Sequence, residues 1–324
     1  MTESSSWRPT ASLEALRLRA AMLSRARAFF AQREVLEVET PVLSTAGTTD
    51  PNIQSLTTRV AGLPGTLYLH TSPEFPMKRL LAAGSGDIYQ FARVFRDGET
   101  GRRHNPEFTM LEYYRLGMDH HALMDDVAEL VQCLLGDKHN AVACQRMSYR
   151  DAFIQAVEID PMTADRAGLL DTLSRHAVPL PADPLSEAQL TDLIMAALVS
   201  PGLGREQPCF VYDFPADQAA LARIRAGQPP VAERFELFFQ GMELANGFHE
   251  LCDDQEQRER FARDNALRVR EGLPQVPVDE RMLQALERGL PACAGVAVGF
   301  DRMVMLAAAA NQLSDVLAFA IMRA

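Results

Sequence analysis

The chain has 324 residues, 47% of them hydrophobic, which is ample for a large buried core. Its 32 Lys and Arg against 43 Asp and Glu leave a net charge of −11 (32 − 43), which weighs against a client gripped along a phosphate backbone, such as tRNA or DNA. The opening residues lack the apolar run of a secretory leader, and no segment reaches the ~18 apolar residues of a membrane helix, so a cytoplasmic protein away from membranes is expected.

Cys133, Cys144, Cys209, Cys252 and Cys293 are odd in number, scattered and without a CxxC pair. They argue against a disulfide framework and against a structural zinc site. Lys78 and Lys138 are the only lysines, so nearly every cation is arginine.

Residues 13–33 read as a helix, with Ser12 as N-cap and Leu16, Ala20, Leu23 and Phe30 at helical spacing. A short strand through Val35, Leu36 and Val38 ends at Pro41, which cannot continue a ladder. Residues 44–55 form a polar loop. A strand at 67–70 leads through Thr71-Ser72-Pro73-Glu74 into a helix over 76–83. Strands are expected at 88–94 and 109–114, joined by a long hairpin loop. An amphipathic helix over 120–135 follows, with Leu123, Val127, Leu130 and Val131 on one face. Residues 160–205 read as a helical insertion. Strand signals return at 209–212, 235–239 and 242–245, helices at 254–271 and 278–288, and a small-residue strand at 295–298 enters a last helix from Asp301. Antiparallel strand signals with helices between them indicate an α+β fold.

Three segments carry chemistry. The first runs from Phe95 to Thr109 and holds Arg96, Asp97, Gly98, Glu99 and Asn105. A guanidinium at a strand end can fork onto phosphate oxygens; the competing reading is a solvated hairpin tip. In the second, Glu243 and Glu250 flank Asn246-Gly247, and a turn there would bring both carboxylates to one Mg²⁺, an ion that takes oxygen ligands. The alternative is two unrelated surface acids, with His249 a packed or surface residue. In the third, Gly295 and Gly299 let a ligand approach backbone, Asp301 is placed to cap the last helix, and Arg302 stands in its first turn. The helix dipole disfavours a cation there, which points to an anionic ligand. A packing strand with a surface arginine is the bland alternative.

In this order the segments resemble the three signature motifs of class II aminoacyl-tRNA synthetases. The helix and strand ending at Pro41 resemble motif 1, the Arg96–Glu107 loop motif 2, and GVAVGFDR (295–302) motif 3. RHNPEFTMLEYY and ERFELFFQGMELANGFHEL are similar to the lysyl-tRNA synthetase subgroup. Motif 1 begins within the first 15 residues, so no anticodon-binding domain is expected before it. That pattern resembles the free-standing paralogues that attach (R)-β-lysine to translation elongation factor P.

The resemblance implies a single catalytic domain over 1–324, with an antiparallel sheet flanked by helices and dimerised through motif 1. It implies two steps: attack of the substrate carboxylate on the α-phosphate of ATP, then attack of a lysine ε-amine of elongation factor P on the adenylate. The partners expected are β-lysine and elongation factor P, without tRNA. Arg96 and Arg302 would neutralise phosphate charge. Asp97, Gly98, Asn105, Leu244 and Gly299 would contact the nucleotide, and Glu243 and Glu250 would hold Mg²⁺. Ser72, Pro73, Glu74, Glu112, Tyr114, Glu250 and Ala297 would line the amino-acid pocket, with Glu112 facing the terminal ammonium. Two departures stand out. Motif 2 usually reads Arg-x-Glu, whereas here the order is Arg96-Asp97-Gly98-Glu99, so the adenine contact falls to Glu99 or to Gly98 backbone. Ala297 replaces a glycine usual in lysyl-tRNA synthetases. An ammonia-dependent asparagine synthetase would need a pocket for an acidic side chain, which Glu74 and Glu112 oppose. A non-catalytic regulatory paralogue has no need of Arg96, Glu243, Glu250 and Arg302.

Overall fold

The computed structural model describes residues 7–136 and 144–324; Lys138 lies outside them. In chain order the elements begin with α1 (Leu13–Ala31), β1 (Leu36–Glu37), β2 (Leu43–Ser44), β3 (Thr57–Thr58) and β4 (Leu67–Leu69). Next come α2 (Glu74–Ala82), β5 (Ile88–Phe95), β6 (Glu107–Leu116) and α3 (His120–Leu135). Then follow β7 (Gln145–Ser148), α4 (Tyr149–Val157), α5 (Arg166–Arg175), α6 (Glu187–Ile194), β8 (Cys209–Pro215) and β9 (Ile224–Arg225). The chain closes with β10 (Val231–Phe239), β11 (Met242–His249), α7 (Asp254–Arg270), α8 (Glu280–Gly289), β12 (Cys293–Gly299) and α9 (Phe300–Ala307). The α+β expectation holds. Elements missed in the sequence are the two-residue strands β2, β3 and β9, and β7 and α4, which precede the helical stretch at 160–205. Two compact units emerge. The first runs to Met118 and takes in Cys133–Leu135 and Cys252–Ala324; the second comprises Asp119–Gln132 and Gly136–Leu251.

In the first unit β5, β6 and β12 pair antiparallel, and β1 joins β5 in parallel. Alternation along β5 and β6 sends Tyr89, Phe91, Leu111 and Tyr113 to one face and Gln90, Ala92, Met110, Glu112 and Tyr114 to the other. Helix α1 covers the first face. Ser12 caps it as expected, its hydroxyl accepting from the Ala15 N–H. Phe30 stacks on Tyr89 at 4.2 Å between centroids and meets Tyr113 edge-on at 5.0 Å. Burying such a side chain contributes about 1.5–3 kcal/mol.

In the second unit β10 pairs antiparallel with β11 and β8, β9 adds to β10, and β7 runs parallel to β8. Its core gathers Tyr149 and Phe153 from α4, Leu173 from α5, Leu190 and Ile194 from α6, and Val211 and Phe214 from β8. The 160–205 stretch is helical: α5, α6, then a π-turn at Met195–Val199 and a 3₁₀ turn at Ser200–Gly202. Among the described residues no helix is long and apolar enough to cross a membrane. All five cysteines are free thiols.

Candidate functional site

In the first unit the β6–β12 register sets Tyr114 opposite Gly295, Glu112 opposite Ala297 and Met110 opposite Gly299. Three small residues therefore face the polar side of β6. Glu112 is 2% exposed. The Ser72 hydroxyl donates to one of its oxygens and the Tyr114 hydroxyl to the other, each at 2.7 Å. Ser72 Oγ also accepts from the Glu74 N–H at 3.0 Å, because Pro73, the residue before α2, offers no side-chain cap. Glu74, at the first position of α2, is engaged by Lys78 Nζ at 2.7 Å, and Lys78 is fully buried. Ala297 packs beside Ala92, Val94 and Met110 on the same face as Glu112.

Arg96 follows the last residue of β5, where its N–H donates to the Pro106 carbonyl and closes the loop neck. Its guanidinium lies over the Phe108 ring at 5.1 Å, and Nη1 reaches Glu99 at 3.4 Å. Nε is buried and makes no hydrogen bond among the described residues. A buried donor of this kind suits an anionic oxygen. Asp97 bridges to Gln54, and Gly98 adopts φ +79°, a conformation open to glycine. Asn105 is buried; its amide donates to the Glu107 carbonyl, and its oxygen accepts from the Ile321 N–H. Of the two residues in line for the adenine contact, Glu99 is already in reach of Arg96.

Arg302 donates to His104 Nε2 at 2.9 Å, tying α9 to the 96–106 loop and requiring that nitrogen to be unprotonated. Asp301 departs from expectation. Gly299 is the N-cap of α9 and supplies no side-chain bond. Asp301 is instead buried, accepting from Arg19 of α1 and from the Thr109 N–H of β6. It locks the helix that carries Arg302 onto the sheet.

In the second unit Asn246-Gly247 is not a turn. Both residues lie within β11, opposite Glu236 and Phe235. The turn is Gln240-Gly241, both at positive φ (52° and 63°), the two-residue connection that matches sheet twist. What aligns the carboxylates is a β-bulge. Leu237 pairs with Ala245 and Phe238 with Glu243, so Leu244 is the extra residue. Residues seven apart on a regular strand point to opposite faces. One inserted residue restores Glu243 to the face of Asn246 and Glu250. Two oxygen donors on one strand face suit Mg²⁺.

Sequence reasoning missed the polar side chains beside them. Arg234 bonds Glu236 at 2.5 Å, Asn246 at 3.2 Å and the Gln218 carbonyl at 2.8 Å. Burial pushes the Glu236 carboxyl up; Arg234 pulls it down and Glu243 adds to the rise. The signal was present, since Arg234 and Glu236 alternate with Phe235 and Leu237.

The model of the family described as tRNA synthetases class II (D, K and N) matches residues 5–323. The chain belongs to this family. Among curated proteins it is 50% identical over 330 residues to the elongation factor P–(R)-β-lysine ligase of Yersinia enterocolitica, covering 100% of both chains. It is 49% identical over 319 residues to the ligase of the same name from Vibrio vulnificus, with 97% of each covered. The Salmonella typhi ligase of that name is 48% identical over 330 residues, again with 100% of both covered.

Proposed function

We propose that this chain is an ATP-dependent ligase that activates (R)-β-lysine as its adenylate and transfers it to a lysine ε-amine of translation elongation factor P. The observation that carries the reading is Glu112. It is a buried carboxylate held by two hydroxyls beside a floor of small residues, and it suits the distal ammonium of a diamino acid, because a buried cation needs a partner charge. The full-length relatives support it, since their names join elongation factor P to (R)-β-lysine.

In the first step the substrate carboxylate attacks the α-phosphorus of ATP and pyrophosphate leaves. Arg96 and Arg302 neutralise phosphate charge, the former with its buried Nε. Asp97, Gly98, Asn105, Leu244 and Gly299 position the nucleotide. Glu243 and Glu250 would hold Mg²⁺, which would supply positive charge to the phosphate oxygens. Ser72, Pro73, Glu74, Tyr114 and Ala297 shape the amino-acid pocket. In the second step the factor's amine attacks the adenylate carbonyl and AMP leaves. Positioning and electrostatics account for the rate, and no protein nucleophile is required. The chain works as one catalytic domain in the cytoplasm, as a homodimer, with a protein acceptor in place of tRNA.

The test is incubation with ATP, Mg²⁺ and β-lysine, with elongation factor P or tRNA as acceptor. A mass gain on the factor equal to one β-lysyl group is expected. Stable aminoacyl-tRNA with an unmodified factor overturns the proposal.

A further inference from the structure

A second cluster of ligand-type side chains lies wholly within the second unit. It gathers residues far apart in sequence: His120 at the start of α3, Glu233 on β10 and His249 on β11. One ligand atom from each falls within 4.8 Å of the others. Beyond the Arg234–Phe248 pair Arg223 lies between the strands, taking the Glu233 N–H on its carbonyl and donating its own N–H to the His249 carbonyl, and His249 Nδ1 meets Glu233 Oε2 at 2.6 Å. His249 alternates with Glu250, so this cluster is on the opposite face of β11 from the Mg²⁺ carboxylates.

Three observations mark it as built for a ligand. His120 is 1% exposed, and neither ring nitrogen makes a hydrogen bond among the described residues. Asp213 Oδ1 stands 3.5 Å from His120 Nε2, and that oxygen also lacks a hydrogen bond. Buried polar atoms of this kind call for a partner. Second, the local backbone is irregular. The β8–β10 register shifts between Ala232 and Phe235, so Glu233 and Arg234 together oppose Asp213, which adopts φ +58°. Such bulges re-aim side chains. Third, the carboxylates are held from behind. Arg225 reaches Asp213 Oδ2 at 2.5 Å and Glu233 Oε1 at 3.6 Å, leaving the other oxygen of each turned to a histidine. Arg223 lies 3.8 Å from Glu233 Oε2 at the exposed rim. The two arginines offset the charge of the two carboxylates and orient them, as outer groups do around metal ligands.

We propose that His120, Glu233 and His249 form a Zn²⁺ site, with Asp213 Oδ1 beside it as the fourth donor. Two imidazoles and a carboxylate are a zinc donor set. The cysteines exclude a thiolate site and leave a histidine one open. Tetrahedral ligands at ~2.0–2.1 Å lie about 3.3 Å apart, so the His249–Glu233 contact opens by about 0.7 Å and its shared proton leaves when the ion enters. The ion clamps the start of α3 to β8, β10 and β11.

The experiment uses the full chain, stripped with EDTA, dialysed and titrated with ZnCl₂ against a chromophoric chelator. One Zn²⁺ per chain is expected, with Zn²⁺ raising the melting temperature. His120→Ala and His249→Gln each weaken binding by about a hundredfold or more, and Co²⁺ shows a tetrahedral absorption spectrum in the wild type that is altered in Glu233→Gln. Glu233→Gln keeps the shape of the glutamate and serves if a histidine variant fails to fold. The proposal is overturned if the wild type binds no Zn²⁺ in competition. It is equally overturned if binding survives in all three variants, or is lost instead in Glu243→Gln or Glu250→Gln.

Discussion

Replacing Glu112 with glutamine removes one charge and almost no volume, so its effects on folding and on binding separate. The carboxylate accepts from Ser72 and Tyr114, each at 2.7 Å. Glutamine offers one oxygen; the hydroxyl facing the new NH₂ must turn and accept. Neutral bonds are roughly half as strong as charge-assisted ones, so the fold loses about 1 kcal/mol, or a melting temperature lower by roughly 2–4 °C. The substrate's distal ammonium loses a charged partner, worth about 1.5–3 kcal/mol. At 1.36 kcal/mol per decade this is about 10- to 150-fold in kcat/KM. The assay is ATP–pyrophosphate exchange, varying β-lysine at saturating ATP and then the reverse. The loss is expected in the β-lysine dependence, with the KM for ATP nearly unchanged. A β-lysine kcat/KM within about threefold of wild type in a folded Glu112→Gln protein refutes the assignment. So does a loss shared equally between the two substrates.

Arg302→Ala is expected to lower pyrophosphate exchange by about 10²–10³-fold with the fold intact, the usual cost of one preorganised charge contact; near-normal exchange removes Arg302 from the chemistry. Glu243→Gln is expected to raise the Mg²⁺ concentration for half-maximal exchange by about tenfold or more; an unchanged Mg²⁺ dependence places the ion elsewhere. Ala297→Gly opens the wall opposite Glu112 and is expected to shift the α- to β-lysine ratio of kcat/KM by about tenfold towards α-lysine, within the ~1–3 kcal/mol that one methyl discriminates. An unchanged ratio leaves Ala297 with packing alone. Gly204→Ala drives a methyl into the Phe238 carbonyl oxygen at φ +64°, where only backbone can yield. It is expected to destabilise by more than about 2 kcal/mol in urea unfolding, and a wild-type midpoint contradicts the close approach.

The helices that the chain announces by periodicity came out within a few residues. Ser12 capping α1 and the apolar stripe of α3 are local signals, and local signals survive folding. Strand cores were legible where β-branched and aromatic residues cluster, as in β5 and β10. Helix α4 and strand β7 were missed because 145–157 is short and polar at its start; burial of Tyr149 and Phe153 against β8 decides it. Asp301 illustrates the same limit. Its spacing fits a helix cap, yet Arg19, 282 residues away in sequence, provides a buried partner. A charged hydrogen bond of this kind outweighs a cap worth about 1 kcal/mol.

The carboxylate pair reaches one strand face by a geometry other than the expected turn. Asn-Gly is the strongest short hairpin signal, and it sits midway between Glu243 and Glu250, so a turn was the natural expectation. The chain instead turns two residues before Glu243, at Gln240-Gly241, where two left-handed residues permit a tight connection. Seven residues of regular strand would then have set the two glutamates on opposite faces, one at the Mg²⁺ side and one at the His249 side. The bulge at Leu244 corrects that parity by one residue. No propensity scale encodes it, because a bulge is a relation between two strands and exists only once β10 and β11 have paired. Parity together with the bulge therefore sets Glu243 and Glu250 on one face of the strand and His249 on the other. A single insertion or deletion between 244 and 249 would turn Glu243 away from Glu250 and onto the face of His249, which constrains the length of this segment more tightly than its composition does.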